Sequence, residues 1–598
     1  MATTTLTHAA APGGSFLLDA SRTEDVFTPA DLNDDQKLIG QTADEFITKE
    51  VLPLAQELEQ HKPGLMPQLM KKAGEIGLLG GGVPEEYGGT GLDKISATVL
   101  AENLAGYGSF GVSHGGHAGI GTLPIVYFGT PEQKQKYLPK LATGEWLGAY
   151  CLSEPQAGSD AQNALTRAVL SPDGKHWILN GQKMWITNGG FADVFIVFAK
   201  VDGEKFSCFI VEKGFPGFSA GGEEKKMGIK GSSTTPIFFE NCKVPKENLL
   251  HEIGRGHIVA FNILNVGRFT LGAYCLGGAK RVLAVASKYT KERKAFGKQL
   301  ADFGLMQEKL ASMAIGLFAV ESMIYRSAGM IDRALSAAAG SADKTQQSMK
   351  VLEEYAIESS ISKVYGTEVL DFVVDEAVQI FGGYGFHEEY PVARAYRDSR
   401  VNRIFEGTNE INRMLIFQML MKRAMKGTLP LMQAGAKLQE EILAGPQMDD
   451  SDDNPWAAEE KGVASAKKSF LLAAGAAVMR YQMELENQQE IVAALSNIVM
   501  EAYAMESCLR RGQKSAAARG AASSAMGDAA RAFIYDAGDR VEKFARTAVC
   551  AAAEGDSQRM MLAALKRFWK REAVDTIALR RNVAAGVLAG DRYPFDGK

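Results

Sequence analysis

The sequence predicts an α+β fold that is mostly α-helical, with a small β domain between helical domains. Apolar residues recur at helical spacing through residues 31–147. Through 148–250 the spacing changes to two, with β-branched and aromatic runs between turn residues. Helical spacing returns at 251–425, as a predicted helical bundle, and continues through 426–598 as an extra helical domain.

The chain has 598 residues, of which 46% are hydrophobic and 23% charged, so it can bury a large core and divide into several domains. Its net charge of −5 offers no global attraction for nucleic acid. The six cysteines are scattered, without a CxxC pair or a His–Cys group at metal-ligand spacing. We therefore expect a reducing compartment, no metal site and no nucleic-acid partner.

The first 30 residues are expected to form a flexible arm. Residues 1–19 are rich in Thr, Ala and Gly, and they lack the basic start of a secretory signal and the arginines of a mitochondrial transit peptide. No segment contains the roughly 18 consecutive apolar residues that a membrane-spanning helix needs. These observations favour a bacterial cytoplasmic protein.

In the first helical domain, the spacing predicts helices at 34–59, 67–77, 94–106 and 131–142. Gly106, Gly108 and Gly111 match the pattern GxGxxG, but they follow a helix rather than a strand, so we reject a dinucleotide-binding interpretation. Residues 114–121 contain two histidines among glycines, without a carboxylate or cysteine to complete a metal site. We interpret them as a packing surface.

Five short runs predict the strands of the β domain, at 176–179, 182–187, 194–199, 207–211 and 236–239. Asn180 and Gly181, between the first two runs, are typical of a type I′ hairpin turn. Long helices are predicted beyond this domain, at 254–292, 303–339, 346–381 and after Glu406. The acidic stretch 446–455 is predicted to be an exposed, mobile linker, and 457–588 is predicted to be helical again.

Glu406 is the carboxylate around which we organise the candidate site. Gly407 permits an unusual backbone conformation beside it, and Thr408 or Asn409 can cap the helix that follows. A carboxylate at such a turn can be aimed at a ligand. The alternative is an ordinary first-turn glutamate that complements the helix dipole, which spacing alone favours.

The segment 403–413 resembles the catalytic-glutamate motif of the acyl-CoA dehydrogenases, and the likeness runs from about residue 30 to about residue 425. The long tail makes the chain most similar to the very-long-chain branch of that family. The resemblance implies the family's fold, with an N-terminal helical domain, a middle β domain, a C-terminal four-helix bundle and, here, an extra helical domain. It also implies that FAD is the cofactor and that Glu406 is the catalytic base.

Two segments resemble the family's flavin-binding motifs. One is the loop 150–160, where Ser153 replaces the usual threonine and backbone amides can hold a flavin edge and a diphosphate. The other is the strand 184–188, where Trp185 would pack on the ring system and Thr187 would bond near flavin N5. The alternatives are a plain turn and a core tryptophan. The residues assigned to FAD here are Cys151, Leu152, Ser153, Gly158, Ser159, Trp185, Ile186 and Thr187.

Further segments resemble motifs that reach across a subunit interface to the neighbouring flavin's adenosine diphosphate. Arg293 would bind a phosphate. The residues assigned to this part of the FAD site are Arg293, Phe296, Gln307, Gln379, Gly382 and Gly383, together with Thr408, Asn409 and Glu410 of the base motif. Plain helix ends and glycine turns are the alternative. If the resemblance holds, the flavin site requires a homodimer.

The helix segment 265–269 resembles the long-chain pattern that lines the acyl-CoA site, where Arg268 would meet the CoA moiety. A solvated arginine is the alternative. Some family members carry their base just before this arginine, where Gly267 cannot serve. In medium-chain relatives bulkier polar side chains close the acyl tube near the position of Gly115 and Gly116, so the resemblance implies a deeper tube here and a preference for chains of about C14 or longer. The residues assigned to the substrate are Ser159, Asn265, Arg268, Phe405, Gly407, Gly115 and Gly116.

The implied reaction is α,β-dehydrogenation of a long-chain fatty acyl-CoA to the trans-2-enoyl-CoA, the first step of fatty acid β-oxidation. Glu406 would take the α-proton while flavin N5 accepts the β-hydride. The flavin ribityl hydroxyl and the backbone N–H of Glu406 would bond the thioester oxygen. Burial should raise the pKa of Glu406 toward the working pH, as a general base requires. Electrons would pass to an electron-transfer flavoprotein.

Two other functions share parts of this pattern. An acyl-CoA oxidase would have the same fold, FAD and base, and differs in whether oxygen reaches the reduced flavin. A DNA-binding member of the superfamily also carries extra C-terminal helices, but it would need a basic face. The acidic total charge and the linker aspartates argue against the DNA-binding alternative.

In the tail, residues 560–581 set Met561, Leu565, Trp569 and Ile577 against several basic residues, which is typical of a helix that lies on an anionic membrane. The alternative, which we favour, is that the tail forms a second helical bundle packed on the catalytic core, in place of the second dimer of tetrameric relatives. The resemblance allows a peripheral membrane role as well. We therefore expect a homodimer with at most weak, salt-sensitive contact with the inner face of the membrane.

Overall fold

The computed structural model describes residues 11–338, 344–444, 454–519 and 525–596. The helices of the first domain are α1 (Asp34–Phe46), α2 (Ala55–Glu59), α3 (Leu65–Glu75), α4 (Lys94–Leu104), α5 (Gly108–His114), α6 (Leu123–Phe128) and α7 (Pro131–Thr143). The side chains of Asn33 and Thr130 cap α1 and α7. The predicted helix 34–59 is interrupted by a π-helical turn at Ile47–Val51.

The middle domain is a sheet whose strands are β1 (Gly148–Cys151), β2 (Arg167–Leu170), β3 (His176–Thr187), β4 (Val194–Val201), β5 (Lys205–Glu212), β6 (Phe218–Ala220), β7 (Thr234–Pro245) and β8 (Leu249–Leu250). Their order is β6-β7-β3-β2-β4-β5-β8, and β1 lies parallel to β4. The central strands β4 and β5 are buried on both faces, which explains their continuous apolar sequence.

The predicted hairpin at Asn180 and Gly181 is wrong. Both residues lie inside β3, which pairs with β7 along its length, with register shifts after Leu179 and Lys183. A Cβ at Gly181 would lie 2.6 Å from the hydroxyl oxygen of Thr166, so the glycine permits an irregular strand where the neighbouring chain is very close. Pairing with β7 therefore overrides the local turn preference.

Helices return after the sheet as α8 (Gly256–Glu292), α9 (Gly304–Ala338), α10 (Lys344–Glu354), α11 (Ala356–Phe381), α12 (Pro391–Ser399) and α13 (Asn409–Met425). Two short strands, β9 (Lys294–Ala295) and β10 (Lys298–Gln299), form a hairpin between α8 and α9. Helix α8 packs against α4, α9 and α11. Its predicted apolar stripe, Leu276, Ala279, Leu283 and Ala286, is buried in the core.

The predicted helix 346–381 is two helices that meet at Tyr355. The ring of Tyr355 is buried, and its hydroxyl donates to the carbonyl oxygen of Ala11 at 2.9 Å. The backbone N–H of Gly13 donates to the Glu354 carboxylate at 2.9 Å. The break between α10 and α11 thus coincides with the place where the N-terminal segment docks.

The expected flexible arm at 1–30 is wrong for its described part, residues 11–30. Phe16 and Leu17 are buried in the helical core. The N–H of Gly14 donates to the Glu358 carboxylate at 2.7 Å, and the N–H of Ser21 donates to Glu506 at 3.1 Å. Burial of two large apolar side chains together with these buried hydrogen bonds holds the segment against the helices.

Helices α8 and α9 are long and apolar enough, by length and composition, to cross a membrane. The most apolar 18-residue window of α9 is 94% buried inside the protein, and that of α8 is 56% buried. Buried core helices also pass this test, and both helices pack among the other helices of the bundle. The apolar character of α8 and α9 is therefore accounted for by internal packing.

The tail consists of α14 (Leu431–Ala444), α15 (Ala457–Tyr481), α16 (Gln489–Arg519), α17 (Ala525–Ala552), α18 (Gly555–Phe568) and α19 (Thr576–Gly590). Helices α15, α16 and α17 pack together, and α16, α17 and α19 also contact α9. The tail is thus a second helical bundle on the catalytic core. Most of the predicted linker 446–455 lies outside the described residues, which resume at 454.

The amphipathic helix at 560–581, which was the less favoured alternative to a packed bundle, is interrupted in the structure. Helix α18 ends at Phe568 and α19 starts at Thr576, so the segment cannot present one continuous face. Trp569 is buried against the bundle, and its indole N–H donates to the hydroxyl of Ser469 at 3.0 Å. Two of its basic side chains, Arg571 and Arg580, form ion pairs with carboxylates of α17. These side chains therefore pack within the helical bundle instead of forming a lipid-facing stripe.

Candidate active site

Glu406 lies at a turn that enters a cavity of about 620 Å³ in the core of the protein. Its φ is 58° and that of Gly407 is 77°, so two successive residues adopt the left-handed conformation. The carboxylate lines the cavity, and its Oε2 atom has no hydrogen-bond partner among the described residues. An unpartnered, buried carboxylate oxygen in a cavity is available to a bound molecule.

Burial raises the pKa of Glu406 to about 7, and the positive charges of Arg268 and Lys363 oppose that rise. A carboxyl group with this pKa is partly ionised at neutral pH. Its ionised form is also a stronger base than an ordinary glutamate, as proton abstraction requires. The electrostatics of the cavity therefore suit Glu406 for proton abstraction.

Gly267 of α8 faces the carboxylate directly. A Cβ at this position would lie 2.8 Å from Oε2 of Glu406, closer than a carbon atom can approach without displacing it. Gly267 therefore provides the space that the Glu406 carboxylate occupies.

The backbone N–H of Glu406 donates to no acceptor among the described residues, although the neighbouring N–H of Phe405 bonds the carbonyl of Val401 at 3.1 Å. A free backbone donor beside the base is the group that a thioester oxygen would need. The side chain of Phe405 lines the same cavity.

Arg268 is placed differently from the expectation that it meets the CoA moiety. Its side chain is buried, with Nε donating to the carbonyl oxygen of Glu406 at 3.2 Å and Nη1 donating to Asn265 Oδ1 at 2.9 Å. Because the guanidinium donates these hydrogen bonds to protein atoms, Arg268 and Asn265 hold the turn at Glu406 in place.

Gly115 and Gly116 both line the cavity, but the space beside them is partly filled. A Cβ on Gly115 would lie 3.3 Å from the ring of Tyr274, and one on Gly116 would lie 3.0 Å from Thr187 Cγ2. The Tyr274 hydroxyl is 2.6 Å from Nδ1 of His114. Because Gly115 and Gly116 have no side chains, Tyr274 and Thr187 can form part of the cavity wall beside them.

The two histidines of the glycine-rich stretch bond neutral groups. His114 Nε2 lies 2.8 Å from the carbonyl oxygen of Leu78, and His117 links the carbonyl of Leu141 to the N–H of Gly148. Burial lowers the pKa of His114 to about 4 and that of His117 to about 3, so both rings are neutral. His117 joins the first domain to β1, and His114 joins Leu78 to Tyr274 of α8.

The two segments that resemble flavin motifs lie side by side. The N–H of Met184 donates to the carbonyl of Ser153 at 3.0 Å. Trp185 is 60% exposed with a φ of 57°, which excludes the core-filling alternative for its indole. Thr187 lines the cavity that Glu406 enters. An exposed indole, a cavity-lining threonine and an unpartnered carboxylate together fit a flavin bound between the sheet and the base.

Beneath this loop lies an ion pair that the sequence did not indicate. Lys183 and Glu154 are buried, and the Lys183 ammonium donates to Glu154 at 2.6 Å and to the carbonyl of Leu152 at 3.3 Å. Glu154 also accepts from the hydroxyl of Thr166 at 2.5 Å. The backbone of the loop is thereby fixed, with Cys151 and Ile186 buried and with Gly158 and Ser159 exposed at its turn.

A second cavity of about 540 Å³ collects part of the segments assigned to adenosine diphosphate. Arg293, Gly382 and Gly383 line it, and the Arg293 guanidinium stacks 5.6 Å from the ring centre of Tyr384. Phe296 stands outside this wall and is 95% exposed. An arginine beside a glycine turn fits a phosphate group.

The other residues assigned to the cofactor have mixed placements. Gln307 Nε2 donates to the carbonyl of Ala301, and Gln379 is exposed near the end of α11. Thr408 caps α13 through its hydroxyl, and Glu410 is exposed in the first turn. The side chain of Asn409 is buried against α11, which leaves its backbone rather than its amide group to face a ligand.

Three buried or half-buried carboxylates, Glu102, Glu321 and Asp596, converge in the core. All three form ion pairs with the ammonium of Lys280. Arg511 of the tail adds an ion pair to Glu321. This cluster joins the end of the described chain to the catalytic bundle through charges.

Four family models match the chain. They are the N-terminal domain of acyl-CoA dehydrogenase at residues 33–145, the middle domain at 149–242, and two C-terminal domain models at 254–421 and 465–567. Each of the four domains described above therefore contains a matched region.

Relatives of similar length also match. A Bacillus subtilis protein named "Probable acyl-CoA dehydrogenase" is 48% identical over 584 residues, which cover 97% of this chain and 98% of that protein. The bovine very long-chain specific acyl-CoA dehydrogenase is 36% identical over 529 residues, 82% of this chain and 77% of its own.

A crystal structure of acyl-CoA dehydrogenase complexed with FAD from Bacillus anthracis superposes with a TM-score of 0.95 at 48% identity, covering 98% of this chain and all of that one. The fold and the order of the domains agree with these matches. The chain therefore belongs to the acyl-CoA dehydrogenase family of FAD-dependent oxidoreductases.

Proposed function

We propose that this enzyme converts long-chain fatty acyl-CoA to the trans-2-enoyl-CoA and passes the electrons to an electron-transfer flavoprotein. The observation that carries the reaction is the unpartnered Oε2 of Glu406, which faces the cavity beside Gly267. The pKa of Glu406, raised to about 7 by burial, makes the carboxylate competent to remove an α-proton near neutral pH.

The residues of this chain divide the work between them. Glu406 removes the α-proton, and its backbone N–H donates to the thioester oxygen, which lowers the energy of the developing enolate. The apolar walls exclude water from the reacting carbons. The loop at Ser153 and the strand at Thr187 hold FAD, which supplies a hydride acceptor when bound.

The length of the cavity supports a long acyl chain. Its lining residues on α8 run from Ile263 to Val285, a stretch that spans about 33 Å of helix axis. Much of the remaining wall is formed by Gly, Ala and Leu residues. A slot of this length and character accommodates chains of about C14 or longer.

We propose a homodimer as the active assembly. The second cavity holds Arg293 and the glycine turn at an exposed surface, and the aromatic side chains of Phe296 and Phe386 are almost fully exposed beside them. Large exposed apolar side chains around a half-formed site are expected at a subunit interface. A second subunit would bring its flavin to this surface.

We place the enzyme in the cytoplasm, with at most weak contact with the inner face of the membrane. The ion pairs of Arg571 and Arg580 with α17 reduce the positive charge that anionic lipid would attract. Liposome retention that persists at high salt would contradict this proposal.

The test of the reaction is anaerobic addition of palmitoyl-CoA to the purified, FAD-loaded protein. We expect the flavin absorbance to bleach, and the enoyl-CoA to appear in the same amount. Air in place of an artificial acceptor should support little turnover, whereas rapid turnover with O₂ would instead indicate an oxidase. Reoxidation by an electron-transfer flavoprotein tests the proposed acceptor directly.

A series of saturated acyl-CoA substrates tests the chain-length proposal. We expect the specificity constant to rise up to about C14 or beyond, because each added methylene is worth roughly 0.8 kcal/mol when buried. An optimum at about C4 to C8 would contradict a cavity that is open along its length.

A further inference from the structure

The backbone of the base loop needs external support. Glu406 is a non-glycine residue with φ at 58°, a conformation that costs about 1–3 kcal/mol. Gly407 follows with φ at 77°. Because such a turn persists only where its surroundings hold it, the groups that bond its carbonyl oxygens decide where the Glu406 carboxylate points.

Three side chains from three helices bond this backbone. Arg268 of α8 bonds the carbonyl of Glu406, and Asn412 of α13 bonds the carbonyls of Gly407 and Thr408 at 2.9 and 3.0 Å. Lys363 of α11 donates to the carbonyl of Gly407 at 2.8 Å and to Asn409 Oδ1 at 2.6 Å. Lys363 therefore joins the turn to the first residue of α13.

Lys363 is fully buried, and both of its hydrogen-bond acceptors among the described residues are neutral. The nearby carboxylate of Glu368 is engaged by Arg413 through two bonds of 2.8 and 2.9 Å. A buried ammonium without a carboxylate in contact is costly, so packing alone does not explain a lysine here.

We propose that Lys363 is a positioning residue for the base: it fixes the Glu406 turn through the Gly407 carbonyl, and its charge stabilises the ionised Glu406 carboxylate. This inference rests on the proposed function of Glu406. It adds a member of the site that lies outside the segments assigned from sequence.

The charged and titratable groups around Glu406 come from three elements. Arg268 lies on α8, Lys363 on α11 and Tyr150 on β1. Burial raises the pKa of Tyr150 well above its usual range, so the phenol is neutral. Burial lowers the pKa of Lys363 to about 8, so its ammonium keeps most of its charge at pH 7. Cys275 also faces Lys363, and burial raises the pKa of that thiol to about 12.

The experiment measures proton removal separately from flavin reduction. A long-chain acyl-CoA analogue that lacks β-hydrogens is incubated in D₂O with FAD-loaded enzyme, and deuterium at the α-carbon is measured by mass spectrometry against pH. In Lys363→Met we expect exchange about 10- to 100-fold slower, from loss of positioning. We also expect the acidic limb of its pH–rate profile to lie about one pH unit higher, because the positive charge of Lys363 that favours the ionised Glu406 carboxylate is lost.

Two further variants complete the test. Lys467→Met removes a lysine buried in the tail, where it contacts Glu506, and should leave both the exchange rate and the limb unchanged. Lys363→Gln keeps an N–H donor but no charge; if Lys363→Met does not fold, this variant should still shift the acidic limb upward.

The outcomes separate the two proposals. Lys363→Met and Lys363→Gln could both exchange the α-proton within twofold of the wild-type rate and with the same acidic limb of the pH profile. That result would overturn the role of Lys363 and leave the proposed function intact. No exchange in the wild-type enzyme, when FAD is bound, would overturn the function of Glu406 and this inference with it.

Discussion

Glu406 combines burial with the ability to ionise because two cations stand close to it. Burial alone disfavours its charge, whereas Arg268 and Lys363 favour it. Both cations also bond the backbone of the turn, so the same side chains set the direction and the charge of the base. At the residue scale, the proposed chemistry therefore depends on side chains that need not touch the substrate.

Substitution of the base is the most direct test at this scale. Glu406→Gln keeps the shape of the side chain but cannot accept the α-proton, so turnover should fall by about 10²- to 10⁴-fold. FAD content and acyl-CoA binding should stay close to wild type, as measured by absorbance and titration. Turnover within tenfold of wild type would remove Glu406 from the role of base.

The pH dependence follows from the sign of the same shift. Only the ionised carboxylate accepts a proton, and its pKa is raised to about 7. The rate of flavin bleaching by substrate should therefore be half-maximal near pH 7 and fall tenfold per unit below it. Stopped-flow measurements from about pH 5 to 8 should show this limb, and a rate that stays constant down to about pH 5 would contradict it.

At the element scale, the N-terminal segment and the tail are tied to α9 by one buried cluster of charges. The carboxylate of Glu506 on α16 accepts bonds from Arg326 of α9 and Lys467 of α15, at 2.7 and 2.9 Å, and from the backbone of Ser21. These bonds to cations hold the pKa of Glu506 at about 2, well below its usual range.

Removal of this carboxylate should loosen all three elements together. Glu506→Gln leaves the buried guanidinium of Arg326 without its charged partner, which typically costs about 3–5 kcal/mol. We expect a lower thermal midpoint and faster proteolysis of the N-terminal segment. The matched control is Glu542→Gln, which removes a half-exposed i,i+4 pair with Arg546 and should change stability by about 0.5 kcal/mol or less.

The pH window of this contribution has a defined sign. Because the folded pKa of Glu506 is depressed, its stabilisation is complete above the unfolded value of about 4.5 and is lost as pH falls toward about 2. The stability difference between wild type and Glu506→Gln should therefore shrink between these pH values. A difference that is independent of pH would show that the charge of Glu506 is not its source.

At the scale of the whole molecule, helices α16, α17 and α19 of the tail pack against α9. The second cavity opens beside Arg293 and the glycine turn at Gly382 and Gly383. We predict a homodimer, with twice the 64.5 kDa mass of one chain by light scattering. Phe296→Asp should shift the protein toward monomer and reduce its FAD content together, because a charge replaces an exposed apolar contact. A wild-type tetramer, or a monomer that retains its FAD, would contradict this assembly.

Several features of the fold were predictable because their signals are local. The long helices at α8 and α9 have regular apolar spacing, and their bounds agree with the predictions to within two residues. Strands β4 and β5 are continuous apolar runs between turns. The short strands β1, β2, β6 and β8 were not predicted, since two to four residues carry no period of their own.

Parts of the site were beyond any local signal. The sequence indicated Glu406 and the flavin segments by their motifs, but Lys363 and the ion pair of Glu154 with Lys183 have no local pattern. Lys363 lies in a buried stretch of α11 that also contains Glu358 and three serines, so no apolar run in the sequence marks the lysine as buried. Its partner carbonyl lies 44 residues away in the chain.

The sequence by itself determined the fold class and the family, and it indicated Glu406 as the candidate base, because periodicity and motifs are properties of neighbouring residues. Only the tertiary structure decided what surrounds that base: the space at Gly267, the cations of α8 and α11, and the placement of Tyr274. It also decided that residues 11–30 are packed and that Asn180 and Gly181 lie within a strand. In each case a long-range contact outweighs a weak local preference, because burial and paired hydrogen bonds contribute more free energy than a turn or disorder propensity.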